Sequence, residues 1–381
     1  MVLATPDPLK ILHVLRAPVG GLFRHVVDLA RGQAALGHQV GIIADSTTGG
    51  AAADAVLADL SRDLALGLTR LPMSRHIDPS DLDAIADVAQ RVTDAGVDVV
   101  HGHGAKGGAY ARLAKQDHAI RAYTPHGGSL HYRWISPVGL LYLTFERVLM
   151  RRTELLLFES AYGRDTFRAK IGEPSALVRV VHNGVTPAEF AAVEPGPDAT
   201  DLLFIGELRA LKGIDLLIDA IAQVARERRS VTATIVGDGP DKAALEAKVK
   251  ALKLGDAVRF TGAMPARAAF ALGQVLVVPS RAESLPYIVL EAAAASVPMI
   301  ATSVGGIPEI FGPDAANLVP AGDAAALAQA IIAALAEPAI ARAATWRLRM
   351  RVSGAFSAAA MTDSVLAGYR AALAARMVKE P

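Results

Sequence analysis

The stretch FIGELRALKGIDLLIDA, residues 204–220, joins a short apolar strand pattern to an amphipathic helix pattern through a turn. The turn contains two cations, Arg209 and Lys212. Two cations at the carboxyl end of a strand can bind a diphosphate and stabilise it as it leaves. The turn is therefore a candidate anion site, although the same residues, taken alone, are also typical of a solvated loop.

Strand and helix patterns alternate along the whole chain. Strand patterns lie at 11–15, 39–44, 97–101, 121–125, 154–160, 177–183, 201–206, 232–237, 257–262, 275–280 and 298–303, and helical patterns such as 24–37 and 81–96 separate them. This rhythm predicts an α/β protein whose parallel sheets are covered by helices on both faces.

A segment rich in proline, glycine and alanine divides the strand patterns into two series. We therefore predict two Rossmann-like domains, with ligands bound outside the carboxyl ends of the strands in a cleft between them. The predicted divisions are an N-terminal domain at 1–190, a linker at 191–200, a C-terminal domain at 201–355 and a C-terminal amphipathic helix within 356–381.

The composition excludes several classes of protein. The 381 residues have a net charge of +1, so the chain lacks the excess of positive charge that is typical of nucleic-acid-binding proteins. The chain has no cysteine, which rules out disulfides, thiolate metal ligands and cysteine nucleophiles and is typical of a cytoplasmic protein. No secretory signal is visible at the N-terminus, and the uncharged run 134–145 is too short to span a membrane. We expect a soluble or peripheral protein.

Two glutamates flank a predicted helix start in PSRAESLPYIVLEA, residues 279–292. Pro286 favours the first helical turn, so a helix beginning near Leu285 leaves Glu283 ahead of it and Glu291 inside it. A helix N-terminus attracts phosphate, whereas carboxylates repel it, so we expect the two acids to accept hydrogen bonds from hydroxyls on either side of a phosphate. A nucleoside diphosphate sugar has that order of groups. The alternative is that the acids only complement the helix dipole.

Together these stretches resemble the retaining glycosyltransferases of family 4, which have the GT-B fold. The resemblance covers nearly the whole chain in the family's order, with PVGGLFRHVVDLA (18–30), VDVVHGHGAKGGAYARLA (97–114), YTPHG (123–127), HNGV (182–185), FIGELRALKG (204–213), IVGDGP (235–240), RFTG (259–262) and PSRAESLPYIVLEA (279–292). It implies sugar transfer from a nucleoside diphosphate sugar to a glycan or lipid-linked acceptor, in polysaccharide assembly. It also implies that the C-terminal helix returns to pack on the N-terminal domain.

The resemblance implies a role for each matching residue. Arg209 and Lys212 would bind the diphosphate, Glu283 and His126 would lie at the donor sugar, and the remaining substrate contacts would come from Gly20 and Gly21 at the distal phosphate, Glu291 at the ribose, Gly237 at the nucleobase, Leu285 and His103. The family commonly has Phe-Gly where this chain has Leu285-Pro286, and because proline lacks an N–H, one possible backbone contact to the donor is absent.

His101 and His103 end a predicted strand, and three roles stay open for them: positioning of substrate, buried hydrogen bonding, or zinc ligation, for which the sequence names no clear third ligand. We expect no metal and no cofactor. The resemblance implies that the leaving diphosphate itself helps to remove the acceptor's proton, and the single Asp-x-Asp, at Asp81 and Asp83, follows Ser80 where acids are expected at a helix start.

Residues 129–153 mix aromatic residues with arginines around an apolar stretch. This pattern is typical of a helix at an anionic bilayer, and equally of a core-facing helix with a solvated basic end. Two other functions stay open, a GT-B nucleotide-sugar epimerase and a catalytically silent GT-B subunit. A nicotinamide dehydrogenase is disfavoured because no G-x-G-x-x-G follows the first strand pattern.

Overall fold

A computed structural model describes residues 7–116, 118–227 and 230–378. Residues 1–6 and 379–381, at the ends of the predicted divisions, lie outside the described residues. The strands in the described part are β1 (Lys10–Leu15), β2 (Gln39–Asp45), β3 (Gly67–Leu71), β4 (Val99–His103), β5 (Ile120–Thr124), β6 (Leu155–Phe158), β7 (Leu177–Val180), β8 (Thr200–Ile205), β9 (Ala233–Val236), β10 (Val258–Gly262), β11 (Gly273–Val278) and β12 (Met299–Ala301).

The helices of the same ranges are α1 (Gly20–Ala35), α2 (Gly50–Leu60), α3 (Asp81–Ala95), α4 (Gly104–Leu113), α5 (Pro137–Met150), α6 (Ala161–Lys170), α7 (Ile214–Arg226), α8 (Lys242–Ala251), α9 (Ala266–Ala269), α10 (Tyr287–Ala294), α11 (Ile307–Phe311), α12 (Ala324–Ala336), α13 (Pro338–Ala355) and α14 (Ala358–Met377). Strands and helices alternate, and every named strand pair is parallel, so the α/β prediction is confirmed.

The chain forms two compact units. The first comprises Met1–Asn183 and Ala358–Pro381, and its sheet has the order β3-β2-β1-β4-β5-β6-β7. The strand order reverses between β1 and β4, which pair in register from Ile11↔Val99 to Leu15↔His103. In parallel sheets the carboxyl ends at such a reversal form a crevice that binds ligands.

The second unit, Gly184–Ser357, has a five-stranded sheet in the order β10-β9-β8-β11-β12. Its order reverses between β8 and β11. The strands are short because they are buried apolar runs bounded by turns, and the side chains of Leu202, Ile235 and Val277 lie in one core with the apolar face of α7. The two motifs with opposing charges, 204–213 and 279–286, therefore follow neighbouring strands.

The expected boundary at residue 190 and the expected linker at 191–200 differ from the observed division, which falls between Asn183 and Gly184. The reason is hydrogen bonding. The N–H groups of Val185, Val193 and Gly196 donate to the carbonyls of Phe356, Ala295 and Ala271, all within the second unit. A proline- and glycine-rich composition marked an irregular segment here, but that segment is packed on the second unit.

The C-terminal helix α14 belongs to the first unit. Met361, Val365, Leu366 and Tyr369 are buried in a core with residues of β1, β4, β5 and β6. The close approach of α14 to α1 depends on Gly32, where an added Cβ would lie 2.4 Å from Thr362 Oγ1.

In the described part of the chain no single helix is long and apolar enough to cross a bilayer. The pair α12 and α13 passes a length and composition test together, with a bend of 102° between them.

Candidate functional site

Two loops meet at the carboxyl edge of the second sheet. One follows β8 and contains Arg209 and Lys212, and the other follows β11 and contains Glu283. Arg281 joins them, because its N–H donates to the Leu211 carbonyl at 2.8 Å and its guanidinium binds both carboxylate oxygens of Asp215 at 2.6 and 2.7 Å. The hydrogen bond from Arg281 lowers the pKa of Asp215.

Glycines allow the loops to pack this closely. Gly213 has a φ of 67°, and a Cβ there would lie 2.0 Å from the Pro279 carbonyl oxygen. Gly305 has a φ of 58°, and a Cβ there would lie 2.1 Å from the Glu283 carbonyl oxygen. The glycine turn at 305–306 therefore supports the backbone of the Glu283 loop.

Lys212 and Glu283 are brought together as an ion pair. Lys212 Nζ lies 2.7 Å from Glu283 Oε1, which also accepts from Ser280 Oγ at 2.7 Å. The Glu283 side chain is 9% exposed and that of Lys212 is 28% exposed. An ammonium has three N–H donors, so Lys212 can bind Glu283 and an anion together.

Arg209 lies on the same loop and is more open. Its side chain is 43% exposed and makes a 3.3 Å contact with Glu207, a surface pair of little energetic consequence. Arg209 is extended (φ −145°, ψ 155°) and precedes the turn Ala210–Lys212, which leads through Gly213 into α7. The guanidinium is therefore available to a ligand.

Three other predicted residues lie around these loops. Pro286 is the residue before α10, so Glu283 precedes the helix and Glu291 lies inside it, as the sequence predicts. Leu285 is 3% exposed and packs in the core, so its side chain is not available to a donor. Gly237 follows β9 with a φ of 147°, and a Cβ there would lie 1.8 Å from the Gly206 carbonyl oxygen.

A cavity of about 660 Å³ lies in the first unit, at the carboxyl edge near the β1–β4 reversal. His103 and His126 line it, together with mostly apolar side chains such as Leu22, Ile77 and Phe145. Arg16 and Arg75 also line it, and neither forms an ion pair with a carboxylate of the described residues. The cavity thus combines apolar walls with two cations.

Gly20 and Gly21 begin α1, and Gly20 has a φ of 65° with no atom within 4 Å of an added Cβ. The preceding Val19 makes no side-chain cap, so the first N–H groups of this helix donate no hydrogen bond to a capping side chain. A glycine at this place lets a ligand approach the backbone closely.

His126 and His103 belong to a chain of buried hydrogen bonds. His126 Nδ1 lies 2.5 Å from Glu159 Oε1, His126 Nε2 lies 3.1 Å from His103 Nδ1, and His103 Nε2 lies 2.9 Å from His13 Nδ1. His13 Nε2 lies 2.8 Å from Gln33 Oε1. Both His126 nitrogens are therefore already in contact with protein groups.

Burial favours the neutral form of four histidines in this region. It lowers the pKa of His13 to about 4 and that of His25 to about 3, and it lowers the pKa of His101 and His103 well below their usual range. His101 is bound at both nitrogens, with Nδ1 2.7 Å from Tyr369 Oη and Nε2 2.8 Å from Thr124 Oγ1. Of the roles predicted for His101, buried hydrogen bonding is the one that these contacts favour.

Asp81, from the Asp-x-Asp, is the first residue of α3. Its carboxylate accepts from Tyr110 Oη at 2.6 Å and from Lys106 Nζ at 2.7 Å. The Ser80 side chain makes no cap hydrogen bond to the helix. The acid therefore ties α3 to α4.

The helix α5, within the segment predicted to contact a membrane, has a largely exposed apolar face. Its buried residues are Gly139, Leu143, Glu146 and Leu149, whereas exposed apolar residues lie along the rest of the helix and just before it: Tyr132, Trp134, Ile135, Val138, Leu140, Leu141, Phe145 and Val148. One side of α5 packs on the core and the arginines after it are exposed, as one alternative predicts, while the exposed apolar residues fit the other, so both alternatives stay open.

Sequence reasoning missed His13, His25, Glu159 and Ser280. Single histidines within apolar strand and helix patterns look like buried structural residues, and only the pairing of β1 with β4 shows that His13 lies beside His103. Of these four residues, Ser280 could have been found from the sequence, because it lies three residues before Glu283 in the motif 279–292 and donates to its carboxylate.

Comparison with known proteins gives matches over both units. The family model of the glycosyl transferase 4-like domain matches residues 20–184, and that of glycosyl transferases group 1 matches residues 199–337. The chain is 27% identical to a glycogen synthase of Mycobacterium tuberculosis, over 93% of this chain and 92% of the relative. It is 28% identical to a D-inositol 3-phosphate glycosyltransferase of Frankia alni, over 93% and 95%.

Solved structures show the same fold. The sucrose-phosphate synthase of Thermosynechococcus elongatus has a TM-score of 0.80 at 23% identity, over 97% of this chain and all of that one. Anabaena Alr3699/HepE, solved in complex with UDP-glucose, has a TM-score of 0.76 at 19% identity, over 94% and 98%. At these identities the likeness concerns the fold alone.

Proposed function

Because the chain belongs to the glycosyltransferases of family 4, which have the GT-B fold, we propose that it transfers a sugar from a nucleoside diphosphate sugar to a glycan or lipid-linked saccharide. Transfer retains the anomeric configuration and serves the assembly of a cell-surface polysaccharide. One observation carries the proposal. The Lys212–Glu283 ion pair, at 2.7 Å, lies at the strand-order reversal of the second sheet, beside the exposed guanidinium of Arg209.

The chemistry assigned to this site is stabilisation of a leaving group. As the bond from the anomeric carbon to the diphosphate breaks, negative charge grows on the phosphate oxygens, and Lys212 and Arg209 offset it. Glu283 Oε1 is occupied by Lys212 and Ser280, so its other oxygen accepts from a sugar hydroxyl. The acceptor hydroxyl attacks from the face that the diphosphate leaves, and its proton passes to a diphosphate oxygen.

No metal takes part in this proposed transfer. The two cations supply the charge that a divalent ion supplies in other phosphoryl sites. The test is to treat the protein with EDTA, remove the EDTA with its bound metal, and then measure the rate of sugar transfer. Unchanged turnover supports a cation-only mechanism, and a loss restored by Mg²⁺ or Mn²⁺ contradicts it.

The acceptor is assigned to the cavity of the first unit. Its apolar walls suit an acceptor with a hydrocarbon portion, and Arg16 and Arg75 suit a phosphate. Such an acceptor is a saccharide on a lipid phosphate. The exposed apolar face of α5, with Arg133, Arg151 and Arg152 nearby and exposed, would lie on the anionic inner face of the cytoplasmic membrane.

A thermal-shift screen against a panel of nucleoside diphosphate sugars identifies the donor. The expected result is a rise in Tm with one nucleotide class. Proton NMR of the product then shows whether the anomeric configuration of the donor is kept, and an inverted product contradicts the proposed mechanism.

The nearest competing function is a nucleotide-sugar epimerase of the same architecture. It would release free sugar nucleotide or sugar products with no acceptor present. A catalytically silent GT-B subunit would bind the nucleotide sugar, but the isolated chain would not convert it to products. Transfer of labelled sugar to a lipid extract by the purified protein excludes both.

A further inference from the structure

Five histidines of the first unit lie side by side next to the cavity: His13, His25, His101, His103 and His126. Neighbouring ring centroids are 3.9–5.7 Å apart. A neutral imidazole has one N–H and one nitrogen lone pair. A group of neutral rings this dense places several lone pairs in a small volume.

Three of these rings direct nitrogens at one another. One ring nitrogen from each of His25, His103 and His126 lies within 4.8 Å of the other two. His103 Nδ1 and His126 Nε2 are 3.1 Å apart. Around a tetrahedral zinc ion with Zn–N distances of about 2.0–2.1 Å, neighbouring nitrogens lie about 3.3 Å apart. The observed separation of this pair is close to that value.

His25 supplies the third nitrogen. The ring is 2% exposed, and its Nε2 has no hydrogen-bond partner among the described residues. A buried polar atom without a partner costs free energy unless something binds it. The ring of His25 packs edge-on against that of His126, with centroids 4.9 Å apart.

The second nitrogen of each of these rings is held by another group. His25 Nδ1 lies 2.9 Å from Asn183 Oδ1, His126 Nδ1 lies 2.5 Å from Glu159 Oε1, and His103 Nε2 lies 2.9 Å from His13 Nδ1. Metal-bound histidines have this feature, because a partner on the far nitrogen fixes the tautomer and the ring orientation. The carboxylate behind His126 also makes that imidazole a stronger ligand.

A second triplet, His13, His101 and His103, lacks this arrangement although its nitrogens also lie within 4.8 Å of one another. Both nitrogens of His101 are bound to groups outside the triplet, Nδ1 to Tyr369 Oη and Nε2 to Thr124 Oγ1. His101 therefore has no ring nitrogen left for a ligand.

We propose that His25, His103 and His126 form a binding site for a divalent transition-metal ion of the zinc class, which enters through the cavity of the first unit. Three imidazoles with the fourth position open suit Zn²⁺. The site does not depend on the proposed glycosyl transfer, which needs no metal.

The test uses the full-length protein after EDTA treatment, with no donor or acceptor present. Isothermal titration with Zn²⁺ is expected to give one site per chain, and Co²⁺ is expected to give the intense visible absorption of a tetrahedral complex. His25→Asn keeps a donor at the position of Nδ1 and removes Nε2. It should weaken Zn²⁺ binding at least about tenfold, since even supporting residues change metal affinity by that factor.

Two further variants complete the design. His126→Asn, which also keeps the group facing Glu159, should weaken binding similarly, and it replaces His25→Asn if that chain does not fold. His76→Asn, at an exposed position, should bind Zn²⁺ like the unmodified protein. Binding unchanged in both buried variants, or no stoichiometric binding by the unmodified protein, overturns the proposal. Neither outcome bears on glycosyl transfer.

Discussion

Lys212 has the strongest predicted effect of any single side chain. Its ammonium is bound to Glu283 at 2.7 Å and keeps two N–H donors for an anion. Lys212→Met keeps most of the stem and removes the charge. Because the charge acts mainly as the diphosphate leaves, we expect kcat to fall about 100-fold or more. Steady-state kinetics with the donor found by the thermal-shift screen measures this.

The matched control is Lys248→Met. Lys248 forms an ion pair of the same length, 2.7 Å, with Asp219, and its side chain is 30% exposed against 28% for Lys212. It lies on α8, and its Nζ binds Asp219 and the Asp215 carbonyl of α7. Its kinetics should be unchanged. Equal losses in the two variants would show that a general loss of stability, and no specific role, explains the effect.

Among the side chains, the sequence predicted the charged residues of the second unit and missed two of the five clustered histidines, His13 and His25. Lys212 and Glu283 lie in short motifs next to strand patterns, so their meeting follows once β8 and β11 are neighbours. His25 reaches His126 only through the packing of α1 on the sheet, which no local pattern shows. Leu285 stays a predicted substrate contact, and because its side chain is buried in the core, that contact would come from its backbone.

Between elements, the most sensitive contact is the buried carboxylate of Glu146. It joins α5 to α4 and β5, because it accepts from Arg112 Nη1 at 2.9 Å and from Tyr123 Oη at 2.7 Å. The Arg112 side chain is fully buried. Glu146→Ala leaves the Arg112 guanidinium buried without its carboxylate. Breaking such a buried pair lowers the free energy of unfolding by about 3–5 kcal/mol. Calorimetry should show a large fall in Tm.

Glu173→Ala is the control for this change. Glu173 pairs with Arg168 at 2.9 Å, with side chains 68% and 41% exposed, and surface pairs of this kind contribute about 0–1 kcal/mol. Its Tm should stay close to that of the unmodified protein. A similar small change in Glu146→Ala would mean that water reaches Arg112.

The exposed face of α5 gives a prediction about membranes. Leu140 is 54% exposed, and Leu140→Glu places a charge on the apolar face without touching the core. Cosedimentation with vesicles of anionic phospholipid should fall strongly, because the face loses apolar area and gains repulsion. Ile340→Glu, on α13 and 64% exposed, should cosediment like the unmodified protein. Equal cosedimentation of all three proteins would show that the exposed face of α5 does not bind the membrane.

The elements themselves were largely predictable. Buried strands such as β1 and β8 appear in the sequence as unbroken apolar runs, and the structure begins them within one residue of the prediction. β3 was missed because Gly67–Leu71 is a half-buried strand at the edge of its sheet, with a glycine, a threonine and an arginine. Edge strands lack the continuous apolar pattern that identifies central ones.

At the scale of the whole molecule, the first unit depends on the last helix of the chain. Met361, Val365, Leu366 and Tyr369 of α14 are each at most 2% exposed. Burial of such side chains contributes about 1.5–3 kcal/mol each, which together approaches the whole stability of an ordinary domain. A chain ending at Ser357 should therefore aggregate or unfold in its first unit, as measured by calorimetry and light scattering.

The control is Tyr369→Phe, which keeps the buried ring and removes the hydroxyl that contacts His101 Nδ1. It should lower the free energy of unfolding by about 1–3 kcal/mol and stay soluble. A truncated chain that is soluble and has an unchanged Tm would show that α14 is dispensable.

The two-sheet architecture followed from the sequence, whereas the division between the units did not. Two series of strand patterns predict two sheets, and both were found. The predicted boundary was at residue 190, whereas the observed one follows Asn183, because the irregular residues after Asn183 hydrogen-bond within the second unit. Composition identifies irregular backbone, but it does not show where that backbone packs.

The proposed transfer requires that a nucleoside diphosphate binds at Lys212 in the second unit. Isothermal titration of UDP and GDP into the unmodified protein, Lys212→Met and Lys248→Met tests this requirement. We predict one site per chain for one of these nucleotides, at least about tenfold weaker binding in Lys212→Met, as the loss of one charge-assisted hydrogen bond implies, and no change in Lys248→Met. Binding of neither nucleotide, or equal binding by all three proteins, would contradict the account.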